Sequence, residues 1–289
     1  MNTGLEAIKP AEICRGLFCV SGLGCLFGVG GGGLLFSLIW RIMRRVIDAA
    51  CLQKGGPLVK NLYKILLLNM AGILLFLSWY PPQTGYWYVI DSQVFFFFNH
   101  LLTESQAFLY LVAFTNLRPF DVAAFLFMLG IFIYYYRQMD AKGRHWMLAM
   151  GATMLITAVI AKQFDLWVQF DRPSATKFFS DAGVAVNRVS QLTGWNTKDY
   201  SASSFPGDHG TFLMIFTFFM WRYLGRRAFL SGLAVVLAFS LPRIMSGAHW
   251  FSDVYVGAVS VNLIVLSWML LTPASDWIIH RLMKLRHWE

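Results

Sequence analysis

Long uncharged apolar runs separated by short basic clusters constrain this chain more than any other feature. Such runs cover residues 16–40, 65–90, 122–136, 146–161, 210–221, 228–242 and 254–275. A helix needs about 20 apolar residues to cross the hydrocarbon core of a bilayer. The shorter runs can be lengthened by flanking charged residues that reach the interface or line a polar cavity. Only 13% of the residues are charged and 57% are hydrophobic, against about 25% charged in an average soluble domain. A water-soluble globule of this size needs more polar surface. The expected fold is all-α, a polytopic transmembrane helical bundle.

The distribution of Lys and Arg orients the bundle. One set of loops carries Arg41, Arg44, Arg45, Lys54, Lys60 and Lys64, then Arg137, Lys142 and Arg144, then Arg222, Arg226 and Arg227, and finally Arg281, Lys284 and Arg286. The opposite set, at 81–121, 162–209 and 243–253, holds more acidic than basic residues. The positive-inside rule places the first set in the cytoplasm, which leaves six core spans from residue 65 onward with both ends inside. The net charge of +9 therefore reflects membrane topology, and no hydrophilic basic face suggests a nucleic-acid partner. Residues 91–118 include Phe95, Phe96, Phe97 and Phe98, and are expected to form interfacial or re-entrant helices on the outer side.

The first 58 residues read differently. Residues 16–40 offer a possible extra membrane helix, although Gly30–Gly33 is poor helix-forming sequence. Residues 51–58 contain Gly55-Gly56-Pro57 and read as a linker. Cys14, Cys19, Cys25 and Cys51 show no metal-binding spacing and read as small apolar residues. The expected organisation is an N-terminal extension over 1–58 and a membrane domain over 59–289.

The chemistry-bearing residues gather in the outer loops. The long polar stretch 171–208 begins with Asp171-Arg172-Pro173 and leads into Ser204-Phe205-Pro206-Gly207-Asp208-His209-Gly210. The next outer loop runs from Arg243 through His249 to Asp253. His249 and Asp253, four apart, share one face of a helix. A carboxylate on one imidazole nitrogen fixes the tautomer and frees the other nitrogen to attack. Arg172 and Arg243 offer forked, permanently charged donors for phosphate oxygens. Backbone N–H groups at the helix start, at Gly207 and Asp208, are expected to cradle an anion. His209 is placed to protonate a leaving oxygen. Together these residues form a phosphoryl-transfer site that works through a phosphohistidine, with no metal or other cofactor required.

These motifs resemble those of the type 2 phosphatidic acid phosphatase superfamily, written K-x6-R-P, P-S-G-H and S-R-x5-H-x3-D. The third is matched at Arg243, His249 and Asp253, with Pro242 where Ser is usual. The second is matched at Pro206 and His209, with Gly207-Asp208 replacing Ser-Gly. The first is matched at Arg172-Pro173 alone, because Asp165 stands where the Lys is expected. The resemblance implies a nucleophilic His249 oriented by Asp253, a general-acid His209, and phosphate held by Arg172 and Arg243. Within the superfamily, Leu75–Pro81, Asn187–Leu192, Ser204–Gly210, Gly247–Asp253 and Leu271–Asp276 resemble an inner-membrane phosphotransferase family. Its members move phosphate from undecaprenyl diphosphate to the 1-phosphate of lipid A on the periplasmic side. The resemblance covers Val59 to Lys284.

Two alternatives stand beside this reading. One is a phosphatase with the same site and water as acceptor. The other is a transporter or structural membrane protein that binds an anionic lipid without turnover, although no repeat of matching halves is visible. Lys162 is expected to pair with Asp165, while Lys177, Arg188 and Lys198 are loop candidates for the phosphate contact that the first motif lacks.

Overall fold

The computed structural model describes residues 57–167 and 172–288, so the possible helix at 16–40 and all four cysteines lie outside the described residues. The described residues are helical throughout, apart from turns, loops and one isolated β-bridge between Leu117 and Thr197. In chain order the helices are α1 (Pro57–Trp79), α2 (Gly85–Glu104), α3 (Gln106–Thr115), α4 (Arg118–Arg137), α5 (Ala141–Trp167), α6 (Ala175–Asp181) and α7 (Val189–Thr193). They continue as α8 (Asp208–Leu224), α9 (Arg226–Met245), a π-helical turn over Asp253–Ala258, α10 (Val259–Leu271) and α11 (Ala274–Leu285).

Among the described residues, five helical segments are long and apolar enough to cross a bilayer: Asn61–Trp79, Arg118–Arg137, Ala141–Gln163, Arg226–Met245 and Asp253–Leu271. The sixth expected span falls on α8, whose 17 residues reach about 25 Å at a rise of roughly 1.5 Å per residue. A single residue, Gly225, joins α8 to α9, so the two pack as an antiparallel pair. The first apolar run also divides. It extends to residue 90 in the sequence, but α1 ends at Trp79, before Pro81-Pro82, and α2 starts at Gly85. Proline lacks the N–H that would continue the helix.

Side-chain size and polarity explain how the bundle closes. Met147, Met150, Phe219, Met220, Met269 and Ile279 are buried together where α5, α8, α10 and α11 meet. Leu213, Val235, Val236 and Phe239 join α8 to α9, with Ala124 of α4 against them. The outward faces of α1 and α4 keep large apolar side chains exposed, among them Leu66, Leu74, Phe125 and Phe127. These are the faces that a lipid environment covers. Amide side chains between the helices find hydrogen-bond partners for their N–H groups, as apolar surroundings demand. Asn69 Nδ2 donates to Ser267 Oγ at 2.9 Å, and Asn262 Nδ2 to the Ala258 carbonyl at 2.8 Å.

One end of the bundle carries the tight connections at 138–140, 225 and 272–273. Tyr223 ties this end together by donating to Asp276 Oδ1 at 2.8 Å and meeting Ser275 Oγ at 2.7 Å. The other end carries α2, α3, α6, α7 and the loops between them. The polar stretch after residue 171 is thus ordered by short helices and hydrogen bonds. Asn99 of α2 holds Asn187 through three bonds of 2.7–3.0 Å. Phe95, Phe179 and Trp250 pack beneath this layer.

Candidate active site

The turn after α9 places His249. Gly247 has φ +72°, and a Cβ there would stand 2.2 Å from Thr176 Oγ1 and 2.7 Å from the Phe95 ring. Only glycine fits both the left-handed backbone and the contact. The turn is fixed by Gly247 N–H donating to the Ile244 carbonyl at 3.0 Å and His249 N–H to the Arg243 carbonyl at 3.1 Å. His249 therefore precedes the helix and does not share a helical face with Asp253. The two side chains still meet, with Nδ1 3.4 Å from Asp253 Oδ2. Asp253 bends back to the helix start, where its Oδ2 accepts from the Trp250 N–H at 2.8 Å.

The closer partner of His249 is the Ser204 carbonyl, 2.8 Å from Nδ1. A carbonyl can only accept, so Nδ1 carries the proton and Nε2 of the neutral ring holds the free lone pair. Ser204 is itself positioned by the first motif, because its N–H donates to the Arg172 carbonyl at 2.9 Å.

Arg172 does not face the open site. Its side chain is fully buried, with Nη2 donating to Asp91 Oδ2 at 2.7 Å and Nη1 to Asp253 Oδ1 at 2.6 Å. Its guanidinium carbon lies 5.1 Å from the Trp79 ring centroid and 4.7 Å from that of Trp250. Ser252 completes the network. Its Oγ accepts from Arg172 at 2.8 Å and from Trp79 Nε1 at 3.0 Å, and donates to Asp91 Oδ2 at 2.6 Å. Burial pushes the Asp91 carboxyl above the usual carboxylate range, opposed by Arg172 and by the Ser252 hydrogen bonds. The structure thus places the Arg172 guanidinium, expected to hold phosphate, against two carboxylates and two indole faces. Its Nε–H is buried without a hydrogen-bond partner among the described residues, and removing a buried cation from its paired carboxylates costs several kcal/mol, roughly 3–5.

The second motif starts α8 and lies directly against the π-helical turn. A Cβ at Gly257 would stand 2.8 Å from the Phe205 ring and 3.0 Å from Pro206 Cβ, so glycine permits this approach. π-helical turns are frequent at functional sites. Here the turn follows the third motif and receives the second. Gly207 N–H, expected to donate to an anion, donates here to the Asp253 carbonyl at 3.2 Å. The Asp208 carboxylate pairs with Lys162 at 3.7 Å. Its side chain thus faces a lysine, while its N–H belongs to the first turn, where no intrahelical acceptor exists. Lys162 was expected to pair with Asp165, whose side chain lies outside the described residues. Asp208 is its partner here because α8 starts beside the outer end of α5.

Arg243, in the last turn of α9, and His209 converge on Asp121, in the first turn of α4. Asp121 Oδ1 lies 3.0 Å from His209 Nε2 and also accepts from Arg243 Nη2, while Oδ2 accepts from Lys198 Nζ. A carboxylate only accepts, so Nε2 of His209 carries a proton in this contact. Asp121, Asp91, Ser204 and Lys198 are thus part of the site alongside the motif residues. The Asp121 signal in the sequence is a carboxylate just after Arg118-Pro119 at the mouth of an apolar span, where a charge is a functional candidate by default. Asp91 carries a weaker one, a lone acid following the aromatic stretch Tyr86-Trp87-Tyr88.

The resulting arrangement has a histidine with a free Nε2, a second histidine bearing a proton, and fixed cations at the same end. Comparison with known proteins bears on it directly. The PAP2 superfamily model matches residues 146–277, a stretch that contains all three motifs. Lipid A 1-diphosphate synthase of Escherichia coli (strain K12) is 47% identical over 224 residues, which cover 77% of this chain and 93% of that one. No solved structure matches the chain. An alignment of that length and identity reaches well beyond the motifs into the helices that present them, and the chain belongs to the PAP2 superfamily, in one family with that synthase.

Proposed function

We propose that this protein is a phosphotransferase that takes the terminal phosphate of undecaprenyl diphosphate and passes it to the 1-phosphate of lipid A. The observation that carries the reading is the kinship with lipid A 1-diphosphate synthase across 93% of that chain's length. The geometry supplies a mechanism for it. His249 Nε2, freed by the Ser204 carbonyl on Nδ1, attacks the terminal phosphorus and forms a phosphohistidine. His209 gives its proton to the bridging oxygen as undecaprenyl phosphate departs. The lipid A 1-phosphate then gives a proton to His209 as its oxygen attacks the phosphohistidine, and both histidines are restored. Arg243 and the first-turn N–H groups of α8 offset the charge on the transferred group. Asp253 and Arg172 act from behind, holding the imidazole in place.

Membrane placement follows from the same reading. Both substrates are lipids, and a site at the helix ends lets their tails remain in the bilayer. The basic loops at 137–144, 222–227 and 281–286 lie at the end opposite the motifs, which supports an active site facing the periplasm from the inner membrane. Residues 59–289 form the catalytic membrane domain, and residues 1–58 are an extension to it. The test uses purified protein and terminally labelled undecaprenyl diphosphate, with and without lipid A. Label is expected on lipid A as a diphosphate and to depend on the acceptor. Release of all label as inorganic phosphate, with lipid A present, would show a phosphatase.

A further inference from the structure

The stretch between α5 and α8 carries three cations that no motif claims, and their surroundings separate them. Lys177 is paired with Asp181 at 2.7 Å, and Arg188 lies 3.5 Å from Asp199 and 4.3 Å from the Tyr200 ring centroid. Lys198 alone of the three reaches Asp121, the carboxylate shared by Arg243 and His209.

This position is built into the fold. The Lys198 N–H donates to the Asn116 carbonyl at 3.0 Å, and its own carbonyl accepts from Ser246 Oγ at 3.4 Å. Asn116 is fully buried, donates to the Pro242 carbonyl at 2.9 Å and accepts from Arg243 Nη1 at 3.4 Å. Lys198 and Arg243 therefore hang from one asparagine. Their side chains differ in access: that of Lys198 is 45% exposed and that of Arg243 is 5% exposed. Lys198 faces the open side of the cluster.

A carboxylate held by an arginine, a lysine and a histidine occupies a position whose donors suit a phosphate. Phosphate brings more charge and more acceptor oxygens to the same donors. We propose that Lys198 is a phosphate ligand, that it holds the phosphate which is not transferred, and that Asp121 is the internal anion displaced when that phosphate enters. The assignment to the untransferred phosphate rests on the transfer reading above. Each half-reaction sets a lipid phosphomonoester beside the phosphoryl group on His249, first the departing undecaprenyl phosphate and then the entering lipid A 1-phosphate. One cationic subsite serves both, and water as acceptor needs none. Lys198 thereby replaces, from a different loop, the first-motif lysine whose position is Asp165, and it favours a lipid phosphate over water.

The experiment measures inorganic pyrophosphate and orthophosphate binding to the full chain in detergent by calorimetry. The wild type should bind pyrophosphate about tenfold more tightly than orthophosphate, as one added charge-assisted hydrogen bond implies. Lys198→Gln should bind the two alike, Lys198→Arg should keep most of the preference, and Lys177→Gln should keep all of it. A wild type with no preference overturns the proposal. So does a Lys198→Gln protein that keeps it, or a Lys177→Gln protein that loses it equally. If the preference behaves as expected but label from undecaprenyl diphosphate never reaches lipid A, the transfer reading fails and the phosphate site at Lys198 stands.

Discussion

Arg172 grips Asp253 at 2.6 Å with both side chains closed to solvent, so the cation of the first motif is tied to the carboxylate of the third. Its backbone carbonyl also fixes Ser204, whose own carbonyl holds His249 at 2.8 Å. Arg172 thus supports the histidine from two sides.

Replacing Arg172 with Lys should therefore damage turnover without weakening phosphate binding. An ammonium cannot fork between Asp91 and Asp253, and loss of one arm leaves a buried carboxylate poorly paired, at a cost of about 3 kcal/mol or more. The expected outcome is a lower thermal midpoint and a sharply reduced kcat, with the inhibition constant of inorganic phosphate unchanged. A variant of normal stability with weakened phosphate inhibition would instead restore Arg172 as a direct ligand.

His209→Ala should slow phosphohistidine formation less when the donor carries a good leaving group, such as an aryl phosphate, than with undecaprenyl diphosphate. A good leaving group needs little protonation. The measurement is the rate of phosphoenzyme formation from each donor, and equal damage to both would assign His209 a structural role beside Asp121.

The helices and the two histidines were legible in the sequence because uncharged apolar runs and short motifs encode them locally. Five apolar runs became helices of spanning length, and residues 40 positions apart, His209 and His249, came to one end because intervening spans return the chain there. The partners of Arg172 and Gly207 were not legible. Whether an arginine meets phosphate or two carboxylates depends on Asp91, 81 residues away in sequence, and no spacing rule links the two. Asp121 lies 122 residues from Arg243 and belongs to no motif. The helical reading of His249 and Asp253 failed for a local reason, since Gly247 turns the chain and delays the helix until after Trp250.

Removing residues 1–58, with Met placed before Val59, should leave membrane insertion and transfer intact. Every residue of the site lies at or beyond Trp79 in sequence, and the 224-residue match to the synthase covers 77% of the chain. The check compares expression in membranes and specific activity of the full and shortened proteins. A shortened protein that fails to accumulate would make the extension part of the domain.

The central claim is that phosphate passes through His249, and mapping the phosphoenzyme tests it most directly. Wild-type protein mixed with terminally labelled undecaprenyl diphosphate, quenched without acceptor and digested, should yield one acid-labile, alkali-stable phosphopeptide containing His249. Lipid A added before the quench should remove that label and appear as its diphosphate. His249→Ala should form no phosphopeptide and no product. Normal product formation by His249→Ala, or label carried by a different residue of a fully active wild type, would contradict the account.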